Sequence, residues 1–156
     1  MTESAMSGDA VGSILTKDVL TVDCSETLRT ALKKMHKENV GSLVVTEAGK
    51  AVGIITERNI TRFSADCEDP RCFEMKTKAV MSAPLITVGP ETPILEALEI
   101  MLGNSIRRLP VIRNEELRGI ITERDIVVWV LRETYKPYIP EYLKKLVDKI
   151  ERLEKL

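Results

Sequence analysis

One octapeptide occurs twice in this chain, and the repetition constrains the possible fold more than any other feature of the sequence. GIITERNI spans residues 53–60 and GIITERDI spans residues 119–126, an offset of 66 residues with seven of the eight positions identical. The same offset, without a gap, aligns Met35 with Met101. Self-similarity at a fixed spacing indicates a duplicated structural unit. The sequence therefore predicts two copies of one supersecondary unit.

The pattern of apolar residues changes in the same order within each copy. Apolar residues at i, i+3, i+4 and i+7 predict an amphipathic helix, and short β-rich runs predict one strand before it and two after it. A second helix is predicted from Glu57 and from Glu123, so the unit reads β-α-β-β-α. Ser25 is the expected cap of the first helix, and Thr92 followed by Pro93 is the expected start of its counterpart. The helical positions are Leu28, Ala31, Leu32 and Met35, and Ile94, Ala97, Leu98 and Met101.

The predicted fold class is α+β: two β-α-β-β-α repeats packed with pseudo-two-fold symmetry, plus a C-terminal helix. That amphipathic helix has Leu143, Leu146, Ile150 and Leu153 on one stripe. It packs on its own body, contributes to a dimer contact or serves membrane or calmodulin-like targeting. The expected segments are an N-terminal tail (1–11), a first domain (12–66), a linker (67–77), a second domain (78–134) and the C-terminal helix (138–156).

Composition excludes several classes of function. The 24 acidic residues nearly balance the 23 basic ones, so no global field favours nucleic acid or an anionic membrane. No membrane span or signal peptide is evident, and we expect a cytoplasmic protein. Cys24, Cys67 and Cys72 lack zinc-site spacing, so no metal is expected; free thiols are expected in a reducing cytosol, with a Cys67–Cys72 disulfide as the alternative for a hyperthermophile source.

The repeated octapeptide lies where a strand meets a helix, so backbone N–H groups there point towards any ligand in the crevice. A threonine hydroxyl, an Asn or Asp three residues later and an arginine suit the hydroxyls and phosphate of a nucleotide. The same Thr-x-x-Asp pattern also resembles a capping box, which serves only the helix start. Both interpretations stay open. The residues are Thr56, Arg58 and Asn59 in the first copy, and Thr122, Arg124 and Asp125 in the second.

Each copy resembles a cystathionine β-synthase (CBS) domain, whose signature is Gly, two apolar residues, Thr or Ser, two variable residues, then Asp or Asn. GIITERN and GIITERD both fit, and the resemblance covers about residues 12–132. It implies a pair of clefts between the repeats in which many members bind AMP, ADP, ATP or S-adenosylmethionine. It also implies a homodimer formed through the helices, and an attached or partner protein that receives the signal.

The resemblance also implies site residues for two unlike clefts. In one cleft, Thr122 and Asp125 would hold the ribose, with Arg124 near the phosphate; Leu20, Val40 and Gly41 would enclose the adenine. In the other, Thr56 and Asn59 would hold the ribose; Ile86 and Ile106 would cover the base, and Arg58, Arg107 and Arg108 would lie near the phosphate. Asn59 departs from the more frequent aspartate, and a neutral amide should hold hydroxyls less strongly than a carboxylate.

The resulting prediction is a regulatory module that binds an adenine nucleotide, AMP first and ADP or ATP next, without a cofactor and without chemistry of its own. The alternatives are a dimeric interaction scaffold with degenerate clefts and an S-adenosylmethionine sensor. An enzyme is disfavoured because no nucleophile with a partner base is apparent and His36 has no evident catalytic partners in the sequence. The expected partners are the nucleotide, a second copy of the chain and an unidentified effector protein, with no nucleic acid or membrane. Trp129 is expected either in the core or at the dimer surface.

Overall fold

The structure is a computed structural model, and it describes residues 9–134 and 140–153. The first repeat has all five predicted elements in the predicted order, and the second has the last four of them. The first contains β1 (Thr21–Asp23), α1 (Leu28–Glu38), β2 (Ser42–Glu47), β3 (Lys50–Thr56) and α2 (Glu57–Ala65). The second contains α3 (Ile94–Asn104), β4 (Arg108–Arg113), β5 (Glu116–Thr122) and α4 (Glu123–Thr134), followed by α5 (Glu141–Leu153). Short 3-10 helices occupy Val11–Ser13, Pro70–Glu74 and Thr77–Ala79.

The predicted strand at 85–88 is reduced to one parallel bridge, between Val88 and Val111. In the first repeat β1 pairs in parallel with β2, and the Val44 N–H donates to the Leu20 carbonyl at 3.1 Å. Proline occupies the position that matches Val44, residue 110, and it has no N–H to donate. The second repeat therefore lacks one bond of the ladder that supports the first repeat's opening strand.

Each repeat has its own apolar core, built from matching residues. Leu28, Leu43 and Ile55 are buried in the first repeat, and Ile94, Leu109 and Ile121 take the same positions in the second. Met35 and Met101 are buried in these cores, as the apolar spacing predicted. Trp129 is half-buried and packs against the second core.

Two compact units emerge from the contacts, and they do not coincide with the repeats. Among the described residues, 17–87 with 112–119 form one unit, and 9–16 with 88–111, 120–134 and 140–153 form the other. The segment before each repeat, called here a lead-in segment, therefore packs with the opposite repeat. The first lead-in segment is residues 9–16 and the second is residues 75–82.

Matching backbone hydrogen bonds hold the two lead-in segments in place. In the second lead-in segment, Met75 O accepts from Leu28 N at 2.8 Å, and Thr77 N donates to Glu26 O at 2.8 Å. In the first, Asp9 O accepts from Ile94 N at 2.8 Å, and Val11 N donates to Thr92 O at 2.9 Å. Each lead-in segment then bonds in both directions to a strand: Ser82 to Ile54, and Thr16 to Ile120.

The first helices begin later than the sequence suggested. Ser25 is not the cap of α1; its N–H and hydroxyl both donate to Asp23 Oδ1, at 2.9 and 2.5 Å. The N-cap is Thr27, whose Oγ1 accepts from Thr30 N at 3.2 Å. In the second repeat Pro93 is the N-cap rather than the first helical residue, and it offers no side-chain cap. The chain thus starts α1 and α3 at matching residues with different caps.

The C-terminal helix α5 packs on α4, and Val147 is the residue that it buries. Leu143 and Ile150 are half-buried beside Val147, whereas Tyr142 and Leu146 stay exposed. Packing on the chain's own body is therefore observed, with an apolar pair left on the outside. Residues 138–139 and 154–156 of the predicted C-terminal helix lie outside the described residues, as do residues 1–8 of the predicted tail.

The expectation of free thiols at Cys67 and Cys72 is wrong, because the two residues form a disulfide with Cα atoms 6.2 Å apart. The turn that follows α2, with Asp69 capping the next 3-10 helix, brings the two cysteines together. Cys24 is a free, buried thiol; burial raises its pKa, and a hydrogen bond to Glu47 raises it further. Among the described residues no helix is long and apolar enough to cross a membrane, and no group of three metal-binding side chains occurs.

Candidate functional site

The corner between β3 and α2 is a complete capping box. Thr56 Oγ1 accepts from Asn59 N at 3.3 Å, and Asn59 Oδ1 accepts from Thr56 N at 3.0 Å and from Thr56 Oγ1 at 2.7 Å. Both side chains remain partly accessible to solvent. The capping interpretation is thus confirmed for these residues. It leaves the amide nitrogen of Asn59 for other contacts.

The matching corner between β5 and α4 has the same geometry with a carboxylate in place of the amide. Thr122 N and Thr122 Oγ1 both donate to Asp125 Oδ2, each at 2.7 Å, and Asp125 N donates to Thr122 Oγ1 at 3.3 Å. The cap engages one of the two carboxylate oxygens. A corner that ends in a carboxylate can accept charge-assisted hydrogen bonds, which are stronger than neutral ones.

The residues just before β2 and β4 contact the first residues of α2 and α4 through their backbone carbonyls. Gly41 O accepts from Glu57 N at 3.1 Å, and Arg107 O accepts from Glu123 N at 3.0 Å. Arg107 also forms an ion pair with Glu123, with Nε and Oε2 3.7 Å apart and the arginine side chain 70% exposed. Gly41 has no side chain to make the matching contact. The two corners therefore differ in charge at the residue whose carbonyl accepts from the first N–H of the helix.

The predicted site residues divide between the two units. Leu20 and Val40 are half-buried at the edge of the first core, Ile106 is half-buried at the edge of the second, and Ile86 is exposed. The assignment of residues from both repeats to one cleft stays a prediction. The unit of the first repeat holds Leu20, Val40, Gly41, Thr56, Arg58, Asn59 and Ile86; the other holds Ile106, Arg107, Arg108, Thr122, Arg124 and Asp125.

Ser82 contacts the first repeat's corner, and the sequence did not single it out. Asn59 Nδ2 donates to Ser82 Oγ at 2.9 Å, so the second lead-in segment supplies a side chain to the first repeat's corner. Gly53, the first residue of the octapeptide, permits this approach: a Cβ there would lie 2.9 Å from Ser82 O and 2.5 Å from Met81 Sδ. The only sequence signal for Ser82 was its alignment with Thr16 at the 66-residue offset.

A groove of about 390 Å³ lies beside the same corner, between the end of α1 and the start of α2. Its floor is apolar and its rim carries His36, Asn39, Glu57 and Thr61. The volume lies within the range of small-ligand pockets, roughly 300–1,000 Å³. Val40 and Gly41 line this groove, but Thr56 and Asn59 do not, so it is distinct from the predicted ribose contact.

Comparison with known proteins gives the class of the chain. The CBS domain model matches residues 11–66 and 78–132, so the chain belongs to the CBS domain family and carries two copies of the domain. An uncharacterised protein of Methanopyrus kandleri, MK0525, is 34% identical over 148 residues, which are 90% of this chain and 71% of that one. The similarity to that protein thus covers most of both chains.

Two further relatives show the contexts in which such pairs occur. The CBS domain pair of protein MJ0100, solved in complex with 5′-methylthioadenosine and S-adenosyl-L-methionine, superimposes with a TM-score of 0.68. It is 27% identical and covers 76% of this chain and 92% of that one. The inosine-5′-monophosphate dehydrogenase of Methanocaldococcus jannaschii is 34% identical over 116 residues, but these are only 22% of the enzyme. The similarity is thus limited to about a fifth of that enzyme.

Proposed function

We propose that this chain binds an adenine nucleotide at its two strand-to-helix corners and transmits the bound state to a partner protein. The observation that carries the proposal is the repeated corner itself, with Thr56 and Asn59 in one repeat and Thr122 and Asp125 in the other. A helix cap needs no arginine, yet Arg58 and Arg124 accompany the corners at matching positions. The adenosyl ligands of the related MJ0100 pair support the same class of ligand.

In the proposed mode, Asp125 and Thr122 hold one ribose, and Asn59 and Thr56 hold the other. The arginines supply the local positive charge that phosphate recognition requires, because the chain's net charge is −1. AMP is the first candidate, ADP and ATP are the next, and S-adenosylmethionine is the alternative with a cationic group in place of phosphate. Occupancy regulates a partner only if the ligand contacts differ between two states of the pair. No chemical step is assigned to the chain, and a cytoplasmic location stays a prediction.

Thermal unfolding with a panel of ligands tests the proposal. AMP, ADP, ATP and S-adenosylmethionine are compared, with GTP as the control for the base. A ligand present at about 100 times its dissociation constant stabilises the native state by roughly 2.7 kcal/mol. For a chain of this length that corresponds to a rise in Tm of several degrees. A rise with at least one adenine compound and none with GTP supports the proposal; unchanged Tm values throughout would refute it.

We also propose that the chain forms a homodimer, and the helices of the second repeat support this. α3 and α4 pack against each other and expose four large apolar side chains. The matching residues of the first repeat are all polar, so the fold itself does not require apolar residues there. The exposed residues, with their exposed fractions, are Leu95 (56%), Leu102 (64%), Val127 (52%) and Val130 (37%). At the 66-residue offset they align with Arg29, His36, Thr61 and Ser64 of the first repeat.

An exposed apolar face of this kind indicates a contact with another molecule. The polar face of the first repeat has a partner within the chain, because Arg29 pairs with Glu74 and its Nη2 donates to Pro70 O at 3.3 Å. A second copy of this chain offers the same apolar face, so we propose self-association through the second repeat.

A further inference from the structure

The orientation of the Asn59 amide follows from its partners. Thr56 N can only donate a hydrogen bond, so the atom that faces it at 3.0 Å is the amide oxygen. The nitrogen therefore lies on the other side, where it donates to Ser82 Oγ at 2.9 Å. A primary amide has two N–H groups, and this contact uses one of them. The corner consequently directs an N–H group, rather than an oxygen, away from the cap.

Ser82 is held by its backbone and accepts through its hydroxyl oxygen. Ile54 N donates to Ser82 O at 3.1 Å, and Ser82 N donates to Ile54 O at 2.8 Å. Because Ser82 Oγ accepts from Asn59, the hydroxyl proton points elsewhere, and the residue is exposed. Asn59 and Ser82 together present hydrogen-bond donors at this corner.

The corner of the second repeat has the opposite character. An ionised Asp125 is an acceptor only, with Oδ2 engaged by Thr122 N and Thr122 Oγ1. Thr16 occupies the position that matches Ser82 and also carries a hydroxyl, so the corners differ at Asn59 and Asp125. The first repeat therefore carries a donor corner at Asn59, and the second an acceptor corner at Asp125.

We propose that Asn59 is a specificity-determining residue, which with the Ser82 hydroxyl makes the first corner tolerant of adenine nucleotides that lack a ribose hydroxyl. The inference rests on the proposed function. A carboxylate binds a sugar through O–H donors of the ligand, so the Asp125 corner favours ligands that keep their ribose hydroxyls. A donor corner needs only oxygen acceptors on the ligand, and losing one neutral contact is less costly. The proposed ligand class of the first corner thus includes deoxyribonucleotides.

The expected discrimination follows from the strength of the bonds. A hydrogen bond to a charged group contributes about 1.5–3 kcal/mol and one between neutral groups about 0.5–1.5 kcal/mol. Replacing AMP with 2′-deoxy-AMP or 3′-deoxy-AMP should therefore raise Kd roughly 10- to 150-fold at the Asp125 corner. At the Asn59 corner the rise should be about 2- to 13-fold.

Calorimetric titration of the full chain measures both corners separately. Asp125→Ala leaves the Asn59 corner for measurement, and Asn59→Ala leaves the Asp125 corner. In the Asp125→Ala background, Ser82→Val and Ser82→Thr form a matched pair that differs by one hydroxyl. We expect Ser82→Thr to bind AMP as Ser82 does. Ser82→Val should bind AMP roughly 2- to 13-fold more weakly, with little remaining preference over the deoxy compounds.

Asn59→Asp in the same background gives an independent test. It restores an acceptor, so the preference for AMP over deoxy-AMP should rise above about tenfold. The inference is overturned if Ser82→Val and Ser82→Thr bind alike and Asn59→Asp leaves the preference unchanged, or if Asp125→Ala abolishes AMP binding altogether. Should Ser82→Val fail to fold, the Asn59→Asp result decides. Absence of binding to the unmodified chain would instead refute the proposed function.

Discussion

The two repeats have the same fold and matching apolar cores, but their surfaces differ. Ile94, Leu109 and Ile121 replace Leu28, Leu43 and Ile55 one for one, and all six are buried. The first repeat has a polar helix face, an amide corner and a lead-in segment that follows a disulfide. The second has an apolar helix face, a carboxylate corner and an arginine ion pair at the helix start. Duplication thus preserved the packing and allowed the surfaces to specialise.

The helix faces give the largest expected effect. Leu102→Glu places a carboxylate in the proposed contact, and an uncompensated buried charge costs about 3–5 kcal/mol. The dimer dissociation constant should rise more than about 100-fold, as measured by analytical ultracentrifugation. The matched control is His36→Glu at the equivalent position of the first repeat, which should leave the constant unchanged. A chain that dissociates with His36→Glu but not with Leu102→Glu would place the contact on the first repeat.

The disulfide gives the next effect, because only one lead-in segment follows such a bridge. Cys67 and Cys72 are five residues apart, and closing so short a loop should contribute about 2 kcal/mol to the free energy of unfolding. Cys67→Ser should lower that free energy by this amount in urea titrations under oxidising conditions. Under reducing conditions the variant and the unmodified chain should coincide. If the variant and the unmodified chain were equally stable under oxidising conditions as well, the bridge would not form in solution.

The helix caps give the smallest effect. Thr27→Ala should cost about 1 kcal/mol, because it removes the side chain that accepts from Thr30 N. Ser25→Ala is the control; it removes an exposed contact with Asp23 and should change stability by less than about 0.5 kcal/mol. Urea unfolding distinguishes the two variants. A larger loss of stability with Ser25→Ala than with Thr27→Ala would instead support Ser25 as the N-cap of α1.

Most of the fold could be read from the sequence because it depends on local patterns. Apolar spacing identified α1 and α3, and the repeated octapeptide located the strand-to-helix corners. The shortened opening strand of the second repeat was missed because the absent N–H of Pro110 matters only once the strand pairing is known. The exact helix starts were missed because Asp23 binds Ser25 and removes it as a cap.

The candidate site was only partly predictable for a similar reason. Thr56, Asn59, Thr122 and Asp125 belong to a sequence motif, and their geometry follows from four consecutive residues. Ser82 reaches Asn59 only because residues 75–82 pack on the opposite repeat, and no local pattern encodes that docking. The Cys67–Cys72 bridge depends on the turn after α2 and on redox conditions, neither of which composition decides.

The central claim is that the strand-to-helix corners bind the sugar of an adenine nucleotide. Two-dimensional NMR of the isotope-labelled chain, titrated with AMP, tests it residue by residue. The account predicts saturable shifts of the backbone amides at Thr122 and Asp125, and at Thr56 and Asn59. Saturable shifts confined to the groove residues around His36, with the four corner amides unmoved, would contradict it.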